Sequence, residues 1–149
     1  MRRRNKLVVI GAVALVLAGT ASIASAGGRP LSTAMSGAAE VPGPGDPDAT
    51  GQADFTFNPG QDEICYDLSW ANINGTVTAA HIHPAPAGVA GPVLVPLPLT
   101  SSAGTGESSG CVEVERATVK EIMKNGSNYY VNVHSTEFPA GAIRGQLGD

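Results

Sequence analysis

Basic residues are scarce in this sequence and unevenly placed. Lys and Arg number nine against 13 Asp and Glu, and Arg2, Arg3, Arg4 and Lys6 all fall at the very start. No basic run follows them, which argues against nucleic acid and against anionic membrane surfaces as partners. Aromatic residues make up only 5% of the chain. Trp70, the single tryptophan, reads as a core or rim anchor and not as a carbohydrate platform. Catalytic signatures are missing as well: there is no Gly-x-Ser-x-Gly elbow, phosphate loop or His-Glu-x-x-His motif. No long stretch carries helical periodicity, so a helical domain is excluded. Cysteine occurs twice and histidine three times.

The one long apolar run, "LVVIGAVALVLAG" at 7–19, follows the cationic "MRRRNK" and precedes a small-residue "ASA" at 24–26. That order is the pattern of a secretory signal, and the run is short of the roughly 20 residues of a membrane span. Residues 1–26 are therefore expected to be a signal peptide cleaved after Ala26, with export and no transmembrane anchor afterwards. Thr20 stands where a lipoprotein would need its acylated cysteine. The remaining 27–149 form one predicted domain, and loss of the four leading cations takes its net charge from −4 to −8. In an exported chain Cys65 and Cys111 pair by default. Neither lies in a Cys-x-x-Cys arrangement, so the bridge is expected to be structural.

Short alternating segments separated by Gly, Pro, Asn and Asp clusters predict an all-β sandwich or barrel. Strands are expected near 31–38, 50–57, 62–70, 76–83, 92–97, 108–114, 128–135 and 142–147. Pro42, Pro44 and Pro47 exclude 41–48 from any central strand. The segment 99–110, "LTSSAGTGESSG", reads as a polar loop. One short helix is expected at about 117–124, with Val119, Ile122 and Met123 as its packing stripe and Asn125-Gly126 as its stop. Asn74-Gly75-Thr76 and Asn125-Gly126-Ser127 read as turns that also match glycosylation sequons. Asp62, Glu63 and Asp67 read as a solvated face, as do Glu113 and Glu115, which alternate with Val112 and Val114.

The histidines carry the chemical question. Side chains alternate across a strand, so His81 and His83 share one face and Ile82 takes the other. In "YYVNVHSTEFPAG", Tyr130, Asn132 and His134 share the face opposite Val131 and Val133. Burying Ile82, Val131 and Val133 turns all three histidines away from the core. If the two strands are neighbours, the imidazoles converge into a nitrogen site suited to Zn or Cu. By parity Tyr129 packs inward, while Tyr130 is exposed beside His134 as a gate or a cross-strand contact. The alternative is that the histidines are ordinary structural residues of the sheet.

The segments "LSTAMSGAAEVPGPGDPDATGQADFTF", "AAHIHPAPAGVAGPVLVPL" and "YYVNVHSTEFPAGAIRGQL" resemble the chordin-type (CHRD) domain from about Leu31 to Leu147. The resemblance implies an extracellular module, of the kind found in animal chordin, an antagonist of growth factors, and in exported microbial proteins. Ala142 stands where that family usually has a glutamate, so no role of that carboxylate transfers. More distantly, "HIH", a Gly/Pro-rich loop, "VNVH" and a late arginine are similar in order to the copper-site elements of Cu,Zn superoxide dismutase. That likeness implies a Greek-key β-sandwich or barrel. His81, His83 and His134 would be copper ligands, and Arg144 an anion-guiding or supporting residue, together with Tyr130 and Asn132. No fourth histidine exists, so no zinc companion site is expected. Enzyme activity, at most a weak superoxide-related one, stays open. So does the alternative of a non-catalytic extracellular protein-binding or structural module with an unidentified protein partner.

Overall fold

Eight antiparallel strands wrap around one apolar core in a computed structural model that describes residues 28–148. The predicted leader lies outside the described residues. In chain order the elements are β1 (Arg29–Ser36), β2 (Thr50–Asn58), β3 (Glu63–Ala71), β4 (Val77–Pro84), β5 (Val95–Leu97), β6 (Gly106–Glu113), α1 (Arg116–Lys124), β7 (Tyr129–Ser135) and β8 (Ile143–Gln146). The strand order is β5-β4-β7-β8-β1-β2-β3-β6. Its two halves meet at β1 and β8, where Ser36 pairs with Arg144. The β3–β4, β5–β6 and β6–β7 connections cross from one half to the other, a Greek-key path. The expected all-β sandwich or barrel is therefore the fold, as a nearly closed sheet with one helix.

The elements follow from alternation. Ala53, Phe55 and Phe57 of β2, Ile64, Tyr66, Leu68 and Trp70 of β3, Ala80 and Ile82 of β4, and Val131 and Val133 of β7 all point inward and are buried. At about 25 cal/mol per Å² of apolar area, this two-sided layer supplies the main driving force for folding. The barrel stays open between β5 and β6, and side chains span the gap. Tyr66 Oη and Ser108 Oγ both donate to the Pro98 carbonyl, at 2.6 and 3.2 Å, and Thr100 N donates to Ser108 Oγ at 2.9 Å. Trp70 is a core anchor whose Nε1 donates to the Ala103 carbonyl at 2.8 Å.

One expectation needs correction. The polar loop read over 99–110 stops short of Gly106, because β6 begins there and Gly106 to Gly110 pair with Trp70 to Tyr66 of β3, ahead of the strand expected near 108–114. Pairing with a strong strand overrides the weak β-preference of Gly and Ser. The helix ends at Lys124 with Asn125 as its C-cap, as expected, and a 3₁₀ turn over Gly126–Asn128 follows. Val119 and Ile122 are buried as expected, and Met123 is half-buried. Gly75 does adopt φ +83°, consistent with a turn.

Cys65 and Cys111 face each other in register on β3 and β6 and form a disulfide with a sequence separation of 46. A loop of that length loses entropy in the unfolded chain worth about 4 kcal/mol in the chain-entropy account. Asp62, one of the carboxylates read as solvated, pairs with Arg116 at 2.9 Å on the surface. Among the described residues no helix is long and apolar enough to cross a membrane.

Candidate metal centre

The histidine face belongs to the half-barrel β5-β4-β7-β8. In the β4–β7 ladder His81 lies opposite Asn132, His83 opposite Tyr130, and Ala79 opposite His134. Neighbouring strands therefore put all three imidazoles on one outward face, as expected. A register shift between Val77 and Ala79 marks a bulge at the start of β4. It reverses the alternation there, so Val77 and Ala80 both face the core.

One nitrogen from each of His81, His83 and His134 lies within 4.8 Å of the other two. His81 Nδ1 and His134 Nε2 are only 3.2 Å apart. Nδ1 of His134 and of His83 is held by the fold. His134 Nδ1 is 3.1 Å from the Pro139 carbonyl, and His83 Nδ1 is 3.0 Å from the Gly91 carbonyl. A carbonyl accepts, so it fixes the proton on Nδ1 and leaves Nε2 for other use. His83 Nε2 is itself 3.0 Å from Asn132 Oδ1.

Burial sets the protonation. It lowers the His81 pKa from 6.5 to about 4, assisted by the charges of His134 and His83. Burial lowers His134 as well, against a raising contribution from the Pro139 carbonyl. Both rings are therefore neutral at pH 7, the form that binds metals. The stability that neutral His81 contributes is complete above pH 6.5 and is lost as the pH falls through about 4.

Tyr130 is not the exposed gate that strand parity suggested. It is buried, its ring stacked on His83 with centroids 4.7 Å apart, and the Arg144 guanidinium carbon lies 3.4 Å from its centre. The 85–91 loop covers it. That loop is pinned by Arg144, which donates to the Val89 and Pro86 carbonyls at 2.9 and 3.0 Å, and by Gln146, which donates to Ala85. Gly91 N donates to Tyr130 Oη. Alternation alone cannot foresee this, because the loop covers the outer face and buries β7 on both sides. Tyr129, expected inside, is half-buried against the core.

Arg144 is 2% exposed and its N–H groups are committed to loop carbonyls. It sits against the site as a supporting residue, tied to the backbone. Asn132 is likewise buried. Glu40 was missed in the sequence. It is 4% exposed, its Oε1 has no hydrogen-bond partner, and burial pushes its pKa from 4.5 to about 7 against the lowering influence of Val41, Arg144 and Asn132. The sequence signal was available only as a lone acid within the apolar "GAAEVPG". A second grouping, Glu63, Cys65 and Cys111, offers no thiolate because both cysteines are in the disulfide.

No curated protein and no solved structure matches the chain. The family model for the CHRD domain does match, over residues 31–147. That span includes every strand from the interior of β1 to β8, both histidine segments and the disulfide. CHRD domains are extracellular, and a disulfide fits that setting. The chain belongs to the CHRD-domain family.

Proposed function

We propose that this extracellular CHRD module binds a single copper ion through His81, His83 and His134. The observation that carries the reading is the mutual approach of three imidazole nitrogens within 4.8 Å, with two rings anchored through Nδ1 to backbone carbonyls. Three imidazole nitrogen donors fit Cu(II), which outcompetes Zn(II) at most nitrogen sites. Outer hydrogen bonds of this kind orient ligand rings and raise their basicity. His83 would exchange its Asn132 contact for the ion. Copper bound there would supply one-electron chemistry. The residues themselves bind and orient, and Arg144, held on loop carbonyls, is a support for the loop. Export through residues 1–26 is part of the same reading.

A titration of the full chain with Cu(II) and Zn(II), with electron paramagnetic resonance of the copper-saturated protein, tests this. The expected result is one equivalent of Cu(II) with nitrogen hyperfine structure. It should be lost in the variant with His81, His83 and His134 all changed to alanine. Equal binding by that variant would end the proposal.

A second reading is favoured by one specific observation: both ring nitrogens of His83 already have protein partners, Gly91 and Asn132. On that reading the histidines clamp the 85–91 loop, and the module serves protein binding without metal. Capture of a defined extracellular partner by chelator-treated protein would favour it, and a copper requirement for that binding would count against it.

A further inference from the structure

Two Asn-Gly steps, Asn74-Gly75 and Asn125-Gly126, stand on turns in different parts of the fold. Asparagine before glycine is chemically labile. With no Cβ on the following residue, that residue's backbone nitrogen can approach the asparagine side-chain carbonyl carbon. Whether it does so depends on how firmly the amide and the backbone beside it are held.

Asn74 is tied down on every side. Its Nδ2 donates to Asp46 Oδ1 at 3.2 Å and its backbone N to Asp46 Oδ2 at 2.7 Å. Asp46 is fully buried, and its own N donates to the Ala142 carbonyl at 2.8 Å. The Asn74 carbonyl accepts from Ser135 Oγ at 2.8 Å. On either side, Ile73 N donates to the Gly104 carbonyl and Thr76 N to Thr136 Oγ1. Gly75 has no room to shift: a Cβ there would lie 2.5 Å from Thr136 Oγ1. A carboxylate formed at 74 would also face the buried Asp46 carboxyl, a like-charge pair out of water.

Asn125 is held far more loosely, at the C-terminus of α1. Its Nδ2 donates to Glu121 Oε1 at 2.7 Å, a bond on the exposed surface of the helix. Asn125 N donates to the Glu121 carbonyl and Asn128 N to the Asn125 carbonyl, but the Gly126 N–H has no acceptor among the described residues. The nearest atom to a Cβ on Gly126 would be the Leu147 carbonyl oxygen, at 3.0 Å. The attacking nitrogen is thus free at 125–126, and one solvent-exposed bond restrains its target.

We infer that Asn125 is a site of spontaneous deamidation in the folded protein, and that Asp46 protects Asn74 from the same reaction. The Gly126 nitrogen attacks Asn125 Cγ. A bond from that nitrogen to Cγ forms as the Cγ–Nδ2 bond breaks, and Nδ2 leaves as ammonia, taking the proton of the Gly126 N–H. Water then opens the five-membered imide at one of its two carbonyls, leaving aspartate or isoaspartate at 125. No oxidant or reductant takes part. The product puts a negative charge at the negative pole of α1 and one turn from Glu121, where a hydrogen bond stood before. Arg29, which donates to the Met123 carbonyl at 2.6 Å, fastens β1 to the same helix end. The modification therefore falls on the junction between α1 and the barrel.

The test is incubation of the full chain in mildly alkaline buffer, folded and in guanidinium chloride. Peptide mass spectrometry with fragmentation follows each asparagine and separates isoaspartate from aspartate. In the folded chain Asn125 should convert at least about tenfold faster than Asn74, because reaction at 74 waits on local opening. In denaturant the two should convert at similar rates. Glu121→Ala, which removes the partner of the Asn125 amide, should speed conversion at 125 and leave 74 unchanged. Gly126→Ala should slow it, and an unchanged rate at 125 in that variant would overturn the imide route. Equal conversion at 74 and 125 in the folded chain would overturn the inference. So would an Asn125 that stays intact in the folded chain while both sites convert in denaturant.

Discussion

At the scale of single residues, the site depends on buried groups whose ionisation the fold has shifted. Glu40 is the clearest case. Burial pushes its pKa from 4.5 to about 7 despite Val41, Arg144 and Asn132. The folded state therefore holds this proton more tightly than the unfolded chain does. The stability this contributes is complete below about pH 4.5 and is lost as the pH rises through about 7. A difference of that size corresponds to about 3 kcal/mol. Urea denaturation of parent and Glu40→Gln at about pH 4.5 and about pH 7.5 should show the parent losing up to about 3 kcal/mol more than the variant across that range. Parallel pH profiles would show that Glu40 ionises in the folded chain as it does in water.

At the scale of elements, the unit that matters is the 85–91 loop and the strand ends that hold it. Arg144 of β8, Gln146 of β8, His83 of β4 and Tyr130 of β7 all bond to its backbone. The loop contributes carbonyls and one N–H, so its side chains can be small: "APAGVAG" has no polar side chain to offer. Hydrogen bonds from a charged donor are worth about 1.5–3 kcal/mol each, and stacking of Arg on Tyr adds to them. Arg144→Ala should destabilise the protein by about 3 kcal/mol and raise the hydrogen exchange of the Gly91 amide. Arg144→Lys keeps the charge but loses the planar fork, and should recover only part of that loss. An Arg144→Ala variant with unchanged Gly91 exchange would mean that the loop is held by other contacts.

At the scale of the whole molecule, the barrel is not closed by a ladder between β5 and β6. Ser108 takes the place of a backbone pair there, accepting from Thr100 N and donating to the Pro98 carbonyl. It is buried at the seam. Ser108→Ala leaves Thr100 N without that acceptor and should cost about 1–3 kcal/mol in urea denaturation. Tyr66 Oη, which reaches the same carbonyl, keeps that oxygen satisfied in the variant. A cost near zero would show that the seam rests on apolar packing alone.

The sequence by itself determined the strand pattern, the all-β class, the disulfide partners and the shared face of His81 and His83. All of these follow from a period of two along the chain or from the presence of only two cysteines. Helix α1 was legible for the same kind of reason, in the spacing of Val119 and Ile122. The tertiary structure decided what lies over that face. His134 reaches His81 across a separation of 53 residues because β4 and β7 are neighbours, a choice made by the crossing connections. Tyr130 is buried where alternation predicts exposure, because the 85–91 loop folds back over β7. Glu40 enters from a proline-broken segment whose local sequence gives no direction. Alternation fixes which way a side chain points from its own strand. Whether that direction leads to water, to a loop or to another side chain depends on long-range packing, which no local period encodes.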